Sequence, residues 1–133
     1  MARVLLILQY AWASPNTLFG LVLAILCRPG GGELRVVSGV IEAHGPWLCF
    51  LLTRLVPLRG GALAITLGHV VVGQHAEALA ATRDHERVHV RQYARWGPLF
   101  LPAYVIASAV ALITGRRPYR DNRFEREAYG DED

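Results

Sequence analysis

An α+β fold is predicted by this sequence, with short β-strands, a long helix, a short C-terminal helix and an N-terminal hydrophobic helix that anchors the chain in a membrane. Two glycine-bounded stretches rich in β-branched residues indicate the strands. A stretch without internal Gly or Pro indicates the long helix, and a charge-free N-terminal run indicates the anchor. The 133 residues suit one domain. We assign residues 1–28 to the anchor and 29–133 to the folded domain.

The composition favours membrane association and argues against nucleic-acid binding. Hydrophobic residues make up 53% of the chain and charged residues 19%, which is more apolar than an ordinary soluble domain. The net charge of +3 is too small to predict a nucleic-acid partner. We therefore expect membrane lipid, and not nucleic acid, among the partners.

The anchor prediction rests on residues 4–27, a run of 24 residues without a charge that Arg3 and Arg28 flank. This length suffices to span a bilayer. Polar or helix-breaking residues interrupt the run, namely Gln9, Ser14, Pro15 and Asn16. A kinked span, two short interfacial helices, and a signal peptide cleaved at 11–13 are therefore alternatives. We prefer a retained anchor because the hydrophobic run resumes at Leu18.

Two stretches, residues 34–45 and 62–73, could each form a strand, because both are rich in β-branched residues and end at glycine. Their poor alternation of apolar and polar residues leaves a helix as the alternative for both. The apolar residues 46–58 between them are expected to form a short buried or interfacial helix. Cys27 and Cys49 have apolar neighbours and no Cys-x-x-Cys spacing, so we interpret both as small buried hydrophobic residues.

A helix is predicted from about 76 to 96, where the sequence changes to Ala, Leu, Glu and Arg and then stops at Gly97-Pro98. At about 100° per residue, one side of this helix carries four residues: His85, His89, Gln92 and Trp96. The opposite side carries a stripe of arginines: Arg83, Arg87, Arg91 and Arg95. We expect the arginine stripe to face water or lipid headgroups and the histidines to face inward.

The histidine side holds an H-E-x-x-H motif, in which His85 and His89 could bind zinc and Glu86 could act as a general base. A catalytic zinc site normally takes three protein ligands, so a third must come from elsewhere. Two ordinary histidines on a surface helix are the alternative interpretation.

A third ligand could come from a short C-terminal helix that Asp121-Asn122 would cap, on which only one of Glu125 and Glu127 could face the metal. Glu127 points roughly 200° away from Glu125 on such a helix, whereas Tyr129 shares the face of Glu125. Three histidines are rival ligands: His69, His75 and His44.

The stretches HERVHVRQYARWG and DNRFEREAY resemble the glutamate-zincins, in particular the metallopeptidase core domain of bacterial extracellular contractile injection systems. The resemblance covers roughly residues 62–129. It implies a small zincin-like core, a peptide or protein substrate, a bacterial inner-membrane location, Glu125 as third zinc ligand, and Gln92 in an H-E-x-x-H-x-x-Q helix. The family segment ends E-x-x-A-D, and here Tyr129 replaces the Asp, which normally supports the site.

The resemblance also implies metal-assisted peptide hydrolysis. Zn²⁺ would polarise a scissile carbonyl, and Glu86 would take a proton from water and pass it to the leaving amine. Residues 62–73 could pair with an extended peptide, and His69 could stabilise an oxyanion, although a histidine merely packed in a strand is an alternative.

Residues 97–115 are charge-free and read as a second span, which would separate Glu125 from His85. We prefer a helix that packs on the core or lies at the membrane surface, so that the chain returns to the histidines. Two other function classes are an inactive zincin fold that binds metal or a partner, and a small integral membrane protein with a fortuitous motif.

Overall fold

The fold is α+β, as predicted, in a computed structural model that describes residues 1–130. The helices are α1 (Ala2–Leu26), α2 (Pro46–Arg54), α3 (Ala76–Trp96), α4 (Phe100–Ile113) and α5 (Arg123–Ala128). The strands are β1 (Glu33–Val37), β2 (Val40–His44), β3 (Ala64–Leu67) and β4 (Val70–Gly73). A short 3₁₀ turn, Gly97–Leu99, joins α3 to α4.

Each of the two predicted strands is in fact a β-hairpin, so the prediction of single strands was wrong. The first hairpin turns at Ser38 and Gly39, with φ of 50° and 78°. The second turns at Gly68 and His69, and Gly68 has a φ of 65°. Positive φ at such positions is what two-residue hairpin loops require. The sheet order is β1-β2-β4-β3, with β2 parallel to β4 and the other pairs antiparallel.

The sheet lies between two helical layers. On one face, Val71 and Ala64 pack against Leu79 and Val90 of α3. The opposite face contacts α1 and α2 through a second cluster: Ala24, Cys27, Ala43, Leu48, Leu52, Val70 and Val72. Because both faces of β4 are buried, its sequence is continuously apolar and does not alternate. Both cysteines are free, with Cys27 buried and Cys49 partly buried.

Helix α1 is one continuous helix, with Pro15 inside it, and its C-terminal half is part of the core. A Cβ at Gly20 would come within 2.9 Å of the Cβ atoms of Leu67 and Val70, so the helix touches the sheet there without room for a side chain. Helix α1 also exposes large apolar side chains in both halves: Val4, Leu5, Leu6, Ile7 and Leu8 in the first half, and Leu18, Phe19, Val22, Ile25 and Leu26 in the second. Its insertion in a membrane stays a prediction.

Within residues 1–130, one helical stretch, Ala76–Ile113, is long and apolar enough by length and composition to cross a membrane. It combines α3, the 3₁₀ turn and α4, and 17% of its 18-residue apolar window is buried. The large aliphatic side chains that α4 exposes are Leu101, Val105, Ile106, Val110, Leu112 and Ile113. Helix α4 also contacts α3 and α5, and the chain beyond it returns to the histidine side of α3.

Candidate metal centre

Helix α5 is fixed against α4 by one buried asparagine. The Oδ1 of Asn122 accepts from the backbone N–H of Phe124 at 2.9 Å and caps the helix, as the sequence predicts. The Nδ2 of Asn122 donates to the Tyr104 carbonyl at 3.0 Å and to the Ser108 hydroxyl at 2.9 Å. This cap places Glu125 in the first turn of α5.

Glu125 meets both motif histidines. Its Oε2 lies 3.1 Å from Nε2 of His85, and its Oε1 lies 3.0 Å from Nε2 of His89. Glu125 and His89 are buried, and the His85 side chain is 17% exposed. The three residues form a group whose ligand atoms all lie within 4.8 Å of one another. The structure therefore brings together the three residues that we predict as metal ligands.

Gln92 fixes the proton position on His89. Its Nε2 donates to the Phe124 carbonyl at 3.0 Å and to Oε1 of Glu127 at 3.1 Å, so its Oε1 must face Nδ1 of His89, 2.8 Å away. An amide oxygen only accepts, so Nδ1 carries a proton. In the neutral ring, Nε2 then has a lone pair that is free to bind a metal.

This proton arrangement fits a cation at the centre. A lone pair on Nε2 of His89 would face a carboxylate oxygen of Glu125 at 3.0 Å, which is unfavourable unless a proton or a metal ion lies between them. Two zinc ligands at about 2.1 Å in tetrahedral geometry lie roughly 3.4 Å apart. The two nitrogen–oxygen separations in the structure are shorter than this by only a few tenths of an ångström. Two imidazoles with one carboxylate are a donor set that zinc accepts.

Glu125 is held ionised by its neighbours. Burial would raise its pKa, but hydrogen bonds with His85 and His89 outweigh burial and lower the pKa to about 2. The Tyr104 hydroxyl donates to Oε1 of Glu125 at 2.9 Å. The sequence analysis missed Tyr104, because α4 reads only as a charge-free hydrophobic segment.

Glu86 lies beside the cluster of His85, His89 and Glu125, and a buried hydrogen bond joins its carboxylate to the sheet. The Thr66 hydroxyl donates to its Oε2 at 2.7 Å. Burial raises the pKa of Glu86, and the Thr66 hydrogen bond opposes that rise in part. A carboxyl group with a raised pKa is better matched to proton transfer near neutral pH. Thr66 is a second residue that the sequence analysis missed.

The predicted arginine stripe is not wholly free to meet water or lipid. Arg83 makes a bidentate contact with Glu42 of β2 at 2.9 Å for each bond, and Arg87 contacts the same carboxylate at 3.0 Å. Glu42 is buried, and the hydrogen bond from Arg83 is the main reason that its pKa is lowered. These ion pairs join α3 to β2 of the sheet.

The remaining candidate residues divide into two groups. The Tyr129 ring lies 4.4 Å from the His85 ring, and its hydroxyl is 3.1 Å from that of Tyr119. The rival ligands lie elsewhere: His69 stacks on Tyr10 under α1, His75 caps α3, and His44 pairs with Glu33. The His69 placement gives no support to an oxyanion role.

A scan against models of known protein families, a search of curated proteins and a search of solved structures each found no match.

Proposed function

We propose that this chain is a membrane-associated zinc metallopeptidase with a small zincin-like core. The supporting observation is the convergence of His85, His89 and Glu125 within hydrogen-bonding distance, from helices separated by an intervening apolar helix. Chance placement of two histidines on a surface helix does not account for a buried glutamate that faces both rings. The motif glutamate, Glu86, lies next to this group and completes the set of residue types that peptide hydrolysis requires.

Each side chain has a role that follows from its contacts. His85, His89 and Glu125 would hold Zn²⁺, which when bound supplies a Lewis acid for the scissile carbonyl and for water. Glu86 accepts the proton from the attacking water and later donates it to the leaving amine. Thr66 positions the Glu86 carboxylate for this transfer.

Membrane association is proposed from two exposed apolar surfaces. The N-terminal half of α1 and one side of α4 each expose several large aliphatic side chains. Burying such surfaces in lipid is favourable by about 25 cal/mol per Å². We assign the chain to a bacterial inner membrane, as the sequence resemblance implies.

The test uses purified full-length protein in detergent, with its zinc content and its cleavage of an unfolded protein substrate both measured. The wild type should hold one zinc ion and cleave the substrate. Glu86→Gln should keep the zinc and lose cleavage by roughly two or more orders of magnitude. Glu77→Gln is the matched control, because Glu77 is on the same helix with an 85% exposed side chain.

Three other results would contradict the proposal. Cleavage that survives in Glu86→Gln would remove Glu86 from the mechanism. Zinc binding without hydrolysis of any substrate would favour an inactive metal-binding zincin fold. Failure to bind zinc would mean that the H-E-x-x-H motif is fortuitous.

A further inference from the structure

A cavity of about 400 Å³ lies directly against the candidate metal centre. Glu86, His89 and Glu125 form part of its wall, so any molecule that fills it lies beside the residues proposed to react. The rest of the wall is mainly apolar and comes from the loop after α2, from β3 and from α4. Its large aliphatic residues include Val56, Leu58, Ile65, Leu67 and Leu101.

The size and lining of the cavity suit an apolar side chain. Ligand pockets in proteins hold about 300–1,000 Å³, and an apolar cavity of about 150 Å³ already binds benzene. Apart from the residues of the candidate metal centre, the lining has few polar groups that could pair with a charged side chain. A charged side chain placed there would lose its hydration at high cost.

The edge strand beside the cavity has backbone groups available for a peptide. The Gln74 N–H donates to the Leu63 carbonyl at 3.0 Å, so alternation along the β3–β4 pair turns the backbone groups of Ala64 and Thr66 away from β4. Within residues 1–130, no strand pairs with that edge. The side chains of β3 also line the cavity, so a strand added here would place its own side chains beside the opening.

We infer that the cavity is a specificity pocket for a large apolar side chain of the peptide substrate, next to the scissile bond, with Leu101 of α4 as a residue that sets its size. The inference rests on the proposed function, because it needs a peptide bond at the centre. It predicts cleavage beside Phe, Leu or Met, and discrimination against Ala and Asp at the same position.

The experiment digests a mixture of extended peptides with the full-length protein and reads the cut sites by mass spectrometry. Leu101→Trp should fill the pocket and reduce kcat/KM for the Phe peptide by roughly 10- to 200-fold, with less effect on the Ala peptide. Ile106→Trp is the matched control, since Ile106 is an exposed aliphatic residue of the same helix that does not line the cavity. Its kcat/KM values should match the wild type.

A second measurement separates failure of this inference from failure of the proposed function. Zinc-loaded Glu86→Gln protein is titrated with labelled peptides that differ only by Phe or Ala, and binding is followed by fluorescence anisotropy. Tighter binding of the Phe peptide that Leu101→Trp removes supports the pocket, even if the wild type cleaves nothing. Cleavage without apolar preference, equal binding of the two peptides, or displacement of both by a lipid acyl chain would overturn the pocket.

Discussion

Substitution of Gln92 gives the sharpest test of how the candidate metal centre is held together. Gln92 is almost fully buried and makes hydrogen bonds with His89, the Phe124 carbonyl and Glu127. Gln92→Leu keeps much of the volume but removes the acceptor for Nδ1 of His89. Loss of such a partner costs about 10- to 100-fold in metal affinity, or about 1.4 to 2.8 kcal/mol. The Phe124 carbonyl also loses its donor, so the metal-free protein should lose a further ~1 to 3 kcal/mol of stability.

Gln92→Glu separates the two effects. A carboxylate still accepts from Nδ1 of His89, so zinc affinity should stay within a few-fold of the wild type. The carboxylate cannot donate to the Phe124 carbonyl and repels Glu127, so the melting temperature without metal should fall as it does in Gln92→Leu.

Zinc affinity is measured by competition with a chromogenic chelator at fixed pH, and unfolding is followed by circular dichroism without metal. Gln74→Leu is the control, because Gln74 bonds the Ala62 carbonyl at 2.9 Å and has no bond to a motif histidine. Equal loss of zinc affinity in both Gln92 variants, or unchanged affinity in Gln92→Leu, would refute the assignment of the His89 proton.

Three further predictions concern the third ligand, the ion pairs and the membrane. Glu125→Gln should weaken zinc binding far more than Glu127→Gln in the same competition assay, and equal losses would mean that α5 does not orient Glu125 alone toward the metal. Glu42→Gln should lower the free energy of unfolding at pH 7 by about 2 to 3 kcal/mol, because two arginines lose a buried partner. Since the folded-state pKa of Glu42 lies below its ordinary value of 4.5, the difference should be full above that pH and shrink as the pH falls through the folded-state pKa. A difference in unfolding free energy that stays constant as the pH falls below the folded-state pKa would contradict the prediction for Glu42. The full-length chain should sediment with membranes and need detergent for release; recovery in the soluble fraction with an intact N-terminus would refute association.

Much of the candidate centre could be predicted because its determinants are local in sequence. The bounds of α3 and the cap at Asn122 follow from the residue types at the helix ends. The expected divergence of Glu125 and Glu127 is only partial, because Glu125 is buried and Glu127 exposed, yet Glu127 still reaches Gln92 on the histidine side of α3. The path of the chain after α4 also limited which residues could reach the histidines. The segment after α4 had to return for Glu125 to approach His85, and it does so in the structure.

The hairpins and the supporting residues depend on tertiary contacts. Burial of β4 on both faces removes the alternation that would have marked it as a strand distinct from β3. Thr66 and Glu42 each bond a residue of α3 at least 20 positions away. Because no local pattern distinguishes such a threonine or glutamate from a solvent-exposed one, sequence spacing could not reveal either contact.

Tyr104 bears on the position at which the sequence departs from the zincin segment proposed for it. Under the proposed resemblance, the Asp that closes the E-x-x-A-D segment would correspond to Tyr129, whose ring lies beside His85. Support for Glu125 comes instead from the Tyr104 hydroxyl, on the helix that also exposes Val105 and Ile106. The same helix therefore contacts a candidate metal ligand on one side and presents apolar surface on the other. Under the proposed function, the position of α4 against lipid therefore also determines how Tyr104 orients Glu125.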